Sequence, residues 1–80
     1  MKLPRDLSTD ELVKSLARLG YEVDRQAGSH IRLTTQRDGE HHVTTPAHKP
    51  LKISTLNAIL RDVAAHVSLS RNELLETLFL

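Results

Sequence analysis

Two side chains with useful chemistry, His30 and Arg32, stand two positions apart where apolar and polar residues alternate. If this stretch is a strand that buries Ile31 and Leu33, alternation sends their neighbours to the opposite, exposed face. That face would carry His30, Arg32 and Thr34. Histidine exchanges a proton near neutral pH, and arginine can hold a phosphate through two parallel hydrogen bonds. RNA supplies its own nucleophile, the 2′-hydroxyl, so these groups suit RNA cleavage. Most surface histidines are not catalytic, so the residues alone leave both interpretations open.

Other side chains near this pair could support different chemistry. A zinc site would use imidazoles, but their spacing matches no recognised zinc motif and no carboxylate lies among them, so we predict no metal site. These imidazoles belong to His30, His41, His42 and His48. Ser29 could act as a nucleophile beside His30, but neighbours on an extended chain point apart and no orienting acid is evident. Four cations are either RNA phosphate contacts or ordinary solvated side chains: Arg32, Arg37, Lys49 and Lys52.

The composition limits the class of protein. The length suits one domain, which we place at residues 1–80. There is no cysteine, no apolar run long enough to cross a membrane and no signal-peptide pattern, so we predict a cytoplasmic protein. Residues 25–52 carry five basic and two acidic side chains and four of the five histidines, which favours an anionic partner. With only Tyr21 and Phe79 as aromatic residues, any RNA contact would rest on charge, hydroxyls and shape rather than on base stacking.

Capping signals and apolar stripes predict three helices. The segments 8–11 and 70–73 are capping boxes, each flanked by leucines that can form a hydrophobic staple. The first helix runs from about Thr9 to Leu19 and ends at Gly20, which can adopt the left-handed conformation. The second begins near Ser54 and the third at Ser70. Their apolar stripes consist of Leu56, Ile59, Leu60 and Val63, and of Leu74, Leu75 and Leu78.

Three strands are predicted between the first two helices. The first alternates Tyr21 and Val23 with Glu22 and Asp24, the second follows a turn at 28–29, and the third covers about residues 40–45 with Val43 inward. Asp38-Gly39 predicts a type I′ hairpin turn, whose central residues both have positive φ. The result is an α+β fold, a three-stranded antiparallel sheet with helices on one face and an extra short C-terminal helix. The other face is left to water or to a ligand.

The chain also resembles the HicA toxins in residues that follow one another in the same order. These are Leu19-Gly20-Tyr21, Gly28-Ser29-His30-Ile31, Val43-Thr44-Thr45-Pro46-Ala47-His48, Leu51, Thr55-Leu56, Ile59-Leu60 and the stretch from Val67-Ser68-Leu69 to Leu78. The resemblance implies a double-stranded-RNA-binding-like α-β-β-β-α fold and a toxin that cleaves messenger RNA without a metal or other cofactor. It also implies neutralisation by a HicB antitoxin that covers the active site.

Expected roles for several residues follow from this resemblance. His30 matches the catalytic histidine of the family. Gly28 and Ser29 match small residues that let RNA approach that histidine. Pro46 and His48 match the end of the third strand, for which we expect a structural role first.

Two positions depart from the family pattern. Ser54 stands where a glycine is expected before Thr55-Leu56, and we expect this serine to cap the second helix equally well. His66 stands where a glycine is expected after that helix. Neither position touches the Gly-Ser-His element, so the departures bear on loop details rather than on activity.

These observations support three hypotheses of different classes. The first is the toxin of a type II toxin–antitoxin system, an endoribonuclease in which His30 is a general acid or base and Arg32 and nearby lysines bind phosphate. The second is a non-catalytic RNA-binding module of the same fold, which needs phosphate contacts but no proton transfer. The third is a protein-interaction unit, which predicts no RNA affinity even at low salt.

Overall fold

The computed structural model describes residues 3–80 and has the predicted order of elements. A first helix, α1 (Thr9–Leu16), continues into a 3₁₀ turn (Ala17–Leu19). The strands β1 (Glu22–Ala27), β2 (His30–Thr35) and β3 (His41–Pro46) follow, and then α2 (Ile53–Val67) and α3 (Arg71–Phe79). The predicted α+β fold with an extra C-terminal helix is therefore confirmed. Within residues 3–80, no helix combines the length and the apolar content that crossing a membrane requires.

The helix starts confirm both capping boxes. The Ser8 hydroxyl accepts a hydrogen bond from the Glu11 backbone N–H at 3.2 Å, and the Glu11 carboxylate accepts one from the Ser8 N–H at 3.1 Å. Ser70 and Glu73 repeat this exchange at the start of α3. Gly20 ends the first helical segment with φ of 83°, as predicted.

The ends of α2 differ from prediction. Lys52, not Ser54, is the N-cap residue, and no side chain caps this end, so the predicted role of Ser54 is wrong. At the other end Ser68 takes the left-handed conformation, with φ of 58°, while His66 still lies inside the helix. Helix α2 therefore ends two residues later than the family pattern indicated, and the residue that ends it is not a glycine.

The three strands form one antiparallel sheet in the order β1-β2-β3. Ile31 and Leu33 of β2 are buried. Their pairing partners on β3 are Thr45 and Val43, respectively, and both of these are buried too. The helices cover this face, where their leucine stripes and the strand side chains share one apolar core. No helix of the described chain, residues 3–80, covers the opposite face, as predicted.

The first strand departs from the predicted alternation. Val23 pairs with Leu33 and so belongs to the helix-covered side, but β1 is an edge strand and 47% of Val23 remains exposed. All six residues of β1 are exposed, so this edge strand contributes no buried side chain to the core. The pairing then shifts between Val23 and Arg25, which marks a β-bulge at Asp24.

The two hairpins use different turns. Ala27 and His30 close the first hairpin as a pair around two residues, with Gly28 at φ of +58°, the positive first position of a type II′ turn. In the second, Asp38 and Gly39 both have positive φ, as predicted. However, five residues, 36–40, separate the strands, and the Gly39 N–H donates to the carbonyl of Gln36. The prediction of a two-residue type I′ turn is therefore wrong, although the predicted hairpin is present.

Candidate active site

His30 is the first residue of β2 and lies beside the Gly28-Ser29 turn. Its cross-strand partners are Ala27 on β1 and Pro46 on β3, so the imidazole stands on the face that has no helix. His30 is exposed, and neither ring nitrogen makes a hydrogen bond within residues 3–80. Both nitrogens are therefore accessible to a ligand that approaches the open face.

Arg32 stands on the same face, but part of its guanidinium is already bound. Its Nε donates to Asp24 Oδ1 at 3.0 Å and one terminal nitrogen donates to Oδ2 at 3.3 Å. Because a guanidinium carries five N–H groups, three remain for another partner. The Asp24 carboxylate also accepts a hydrogen bond from the Thr34 hydroxyl. The bonds from Arg32 and then Thr34 lower the pKa of Asp24, so this carboxylate stays ionised opposite Arg32.

Thr34 extends this network across the sheet. Its only hydroxyl hydrogen goes to Asp24, so Thr34 Oγ1 accepts from His42 Nδ1, 2.6 Å away. On its other side, His42 Nε2 lies 3.4 Å from a Glu40 carboxylate oxygen. His42, which adjoins the inward-facing Val43, is thus a member of the open-face network rather than a neighbour of His30.

Arg25 is a functional candidate that the sequence analysis missed. It pairs with Arg32 across the first two strands. Together with Ala27, His30 and Thr44, these two arginines line a shallow depression of about 170 Å³ on the open face. Simple alternation from Tyr21 and Val23 would have placed Arg25 on the helix-covered side. The only signal for Arg25 in the sequence is its positive charge near a predicted glycine turn.

The predicted small residues border this depression. A methyl group built on Gly28 would meet no atom within 4 Å, so solvent surrounds this turn. The carbonyl of the neighbouring Ser29 accepts a hydrogen bond from the Ala47 N–H at 2.6 Å. This bond ties the turn to the segment after β3. Because Gly28 and Ser29 are small and exposed, the end of the sheet beside His30 is accessible to solvent.

The segment after β3 brings Lys49 to the same end of the sheet. The Thr9 hydroxyl donates to the carbonyl of Pro46 at 2.6 Å, and the His48 N–H donates back to the Thr9 hydroxyl at 2.9 Å. These bonds fix the start of α1 against Pro46 and His48, which fits the expected structural role of this element. Lys49 follows directly and is exposed, but it lines a groove at the start of α1 and not the depression around His30.

Two predicted phosphate contacts lie apart from His30. Lys52 precedes α2 and lines a separate surface pocket with Arg5 and Asp6. Arg37 lies in the loop after Thr35, beyond the far end of β2, and donates to the carbonyl of Arg18 at 3.3 Å. A strand rises about 3.3 Å per residue, so roughly 17 Å separates the ends of β2. Arg37 and His30 therefore stand at opposite ends of the sheet.

The remaining histidines form a separate cluster between the sheet and α2. His41 Nδ1 lies 2.7 Å from the Tyr21 hydroxyl, and His41 Nε2 lies 3.2 Å from Asp62 Oδ1. The rings of His41 and His66 stack with centroids 4.4 Å apart. Burial, and secondarily the charge of Asp62, raises the pKa of Tyr21 to about 12. No three His, Cys, Asp or Glu side chains in the described chain are grouped so as to hold a metal ion.

Comparison with protein families supports the resemblance seen in the sequence. A family model described as the HicA toxin of bacterial toxin–antitoxin systems matches residues 9–64. The match runs from the first residue of α1 through all three strands and most of α2. It therefore includes every residue of the depression around His30. No curated protein and no solved structure shows significant similarity to the chain.

Proposed function

The chain belongs to the HicA toxin family of bacterial toxin–antitoxin systems, and on that basis we propose that it is an endoribonuclease that cleaves messenger RNA through His30. One observation carries the proposal: an exposed imidazole, which makes no hydrogen bond to any of residues 3–80, stands beside two arginines on the uncovered face of the sheet. Family membership implies an antitoxin partner. We infer that this partner is a HicB-type protein that covers the open face and so denies RNA access to His30.

A positioned imidazole can start RNA cleavage by general-base catalysis. Neutral His30 accepts the proton of a ribose 2′-hydroxyl, and the oxygen attacks the adjacent phosphorus. The O2′–P bond forms and the P–O5′ bond breaks. The leaving 5′-oxygen lies on the opposite side of the phosphorus and takes a proton from water. The products are a 2′,3′-cyclic phosphate and a 5′-hydroxyl, and the imidazolium returns its proton to the resulting hydroxide, so His30 regains its starting form.

The charges around His30 favour this reaction over the alternatives. Arg25 and Arg32 bring positive charge to the depression around His30, where a phosphate would have to lie. No hydrogen bond joins Ser29 to His30 among the residues that the structure describes, so a serine nucleophile gains no support. A non-catalytic RNA-binding module would use the same cations, and the experiment below separates it from the nuclease.

The decisive test is cleavage of a messenger RNA by the purified protein in EDTA. We expect the parent protein to cleave and His30→Ala to lose activity by about 10² to 10⁴-fold, the usual contribution of general acid–base catalysis. His48→Ala is the matched control, because His48 is also exposed at this end of the sheet but does not line the depression. We expect this control to keep its activity.

Each outcome of this assay has a defined meaning. Equal activity of His30→Ala and the parent would refute the catalytic assignment. RNA that the parent binds and protects without cutting would favour the binding module. In cells, expression of the parent should arrest growth, whereas expression of His30→Ala should not.

A further inference from the structure

The β-bulge in β1 changes which face its last residues occupy. Before the bulge, Val23 pairs with Leu33, whose side chain is buried under the helices. After it, Arg25 pairs with Arg32, on the open face. One extra residue, Asp24, lies between, so the alternation of faces shifts by one position. Arg25 therefore joins the His30 face only because of the bulge.

The same bulge places Asp24 against Arg32. Asp24 lies on the open face as well, where it accepts two hydrogen bonds from the Arg32 guanidinium and one from Thr34. The ion pair is partly exposed, with 42% of the Arg32 side chain and 35% of that of Asp24 accessible, so it adds little to folding stability. It does fix the direction of a long, flexible side chain.

Arg25 differs from Arg32 in its contacts. Within residues 3–80 its side chain makes no hydrogen bond and no ion pair, and it is exposed. Directly opposed residues of an antiparallel pair have Cβ atoms roughly 5 Å apart, so two guanidinium groups face one carboxylate here. One positive charge stays uncompensated beside His30. Such a surplus of positive charge, in a depression that Thr44 also lines, suits a bound anion.

We propose that Arg25 and Arg32 form a two-arginine clamp for one phosphodiester of RNA, and that Asp24 is the positioning residue that orients Arg32. The inference rests on the proposed function only in taking the anion to be RNA. As the 2′-oxygen attacks, the charge on the phosphate group grows from one to two. Guanidinium groups that are already in place stabilise that added charge without reorganising.

The clamp predicts how RNA binding responds to salt. The probe is a single-stranded 2′-O-methyl RNA, which lacks the attacking hydroxyl and so stays intact. Each phosphate contact contributes about 0.7 to the slope of log affinity against log salt for a single strand. We expect Arg25→Ala and Arg32→Ala each to reduce the slope by about 0.7 and the affinity by roughly tenfold at low salt. Arg61→Ala, an exposed arginine on α2, should change neither.

Conservative variants separate geometry from charge. Arg25→Lys keeps the charge but loses the two-pronged contact, so we expect the salt slope of the parent with slower cleavage of ordinary RNA. Circular dichroism melting should match the parent, since Arg25 is exposed. If Arg25→Ala lowers the slope no more than Arg61→Ala does, the clamp is refuted.

The positioning role of Asp24 has its own signature. Asp24→Asn removes a negative charge from the binding face, so we expect 2′-O-methyl RNA to bind at least as tightly as to the parent. Cleavage should nevertheless fall by roughly tenfold in kcat, because Arg32 loses its anchor. A merely structural role would weaken binding and cleavage together, and that result would refute the positioning role.

These measurements stay separate from the proposed function. Binding to the uncleavable probe does not depend on His30, so the clamp can hold even if His30→Ala still cleaves ordinary RNA. Conversely, loss of cleavage in His30→Ala with unchanged salt slopes in both arginine variants would retain the nuclease and discard the clamp.

Discussion

Replacing Gly20 by alanine tests how tightly the end of the first helix is fitted against the sheet. Gly20 has φ of +83°, and a Cβ at this position would lie 2.9 Å from the Thr35 hydroxyl oxygen. That hydroxyl is buried, donates to the carbonyl of Leu19 at 3.0 Å and accepts from the Arg37 N–H at 3.1 Å. Thr35 therefore cannot turn away without losing both bonds.

The expected loss of stability has two parts. The left-handed conformation costs a non-glycine residue about 1–2 kcal/mol, reduced by about 0.4–1 kcal/mol because alanine has less freedom in the unfolded chain. Weakening the buried hydrogen bonds of Thr35 adds about 1–2 kcal/mol. Together these parts predict that Gly20→Ala lowers the free energy of unfolding by about 1–3.5 kcal/mol, a large fraction for a chain of this size.

Gly28→Ala is the matched control for this experiment. Gly28 also has positive φ, at +58°, but a Cβ there meets no atom within 4 Å. Its expected cost is therefore the conformational part alone, about 0–1.5 kcal/mol. Urea unfolding of both variants, followed by circular dichroism, measures the difference. Equal losses for the two variants would show that the contact with Thr35 carries no energy and would refute the reasoning.

Two further predictions concern titration. Tyr21 is the only tyrosine, and burial raises its pKa to about 12, so ultraviolet absorbance should show it ionising near pH 12 when folded. The buried neutral phenol of Tyr21 stabilises the fold below the unfolded pKa of about 10, and this stabilisation is lost as the pH rises from about 10 towards about 12. Ionisation of Tyr21 near pH 10 in the folded protein would contradict the prediction. Hydrogen bonds from Ser8 and Ser70 lower the pKa of Glu11 and Glu73, so their contribution is lost as acid protonates them. Glu11→Gln and Glu73→Gln should flatten the fall of the urea midpoint between about pH 5 and pH 3, and an unchanged fall would show that the caps contribute nothing.

Several features could be predicted because they depend on residues within one turn or one strand. The two capping boxes involve partners three positions apart, and Gly20 ends its helix through its own backbone. The outward direction of His30 follows from the burial of Ile31 beside it. The family resemblance added the order of these elements, and residues 9–64 match the HicA family.

Features that depend on a second segment were missed. The edge position of β1 leaves Val23 exposed, and the length of the 36–40 loop sets its turn. A serine, Ser68, ends α2 in the left-handed conformation, which few non-glycine residues adopt. Each outcome depends on packing that a local pattern does not contain.

The sequence by itself determined that an imidazole and a guanidinium project together from an uncovered strand, because side-chain direction repeats every two residues. Only the tertiary structure decided which cations accompany them. The bulge at Asp24 moves Arg25 onto this face and sets a carboxylate against Arg32, while the length of β2 keeps Arg37 at the other end. A bulge exists only between two paired strands, so the spacing of residues along one chain segment cannot reveal it.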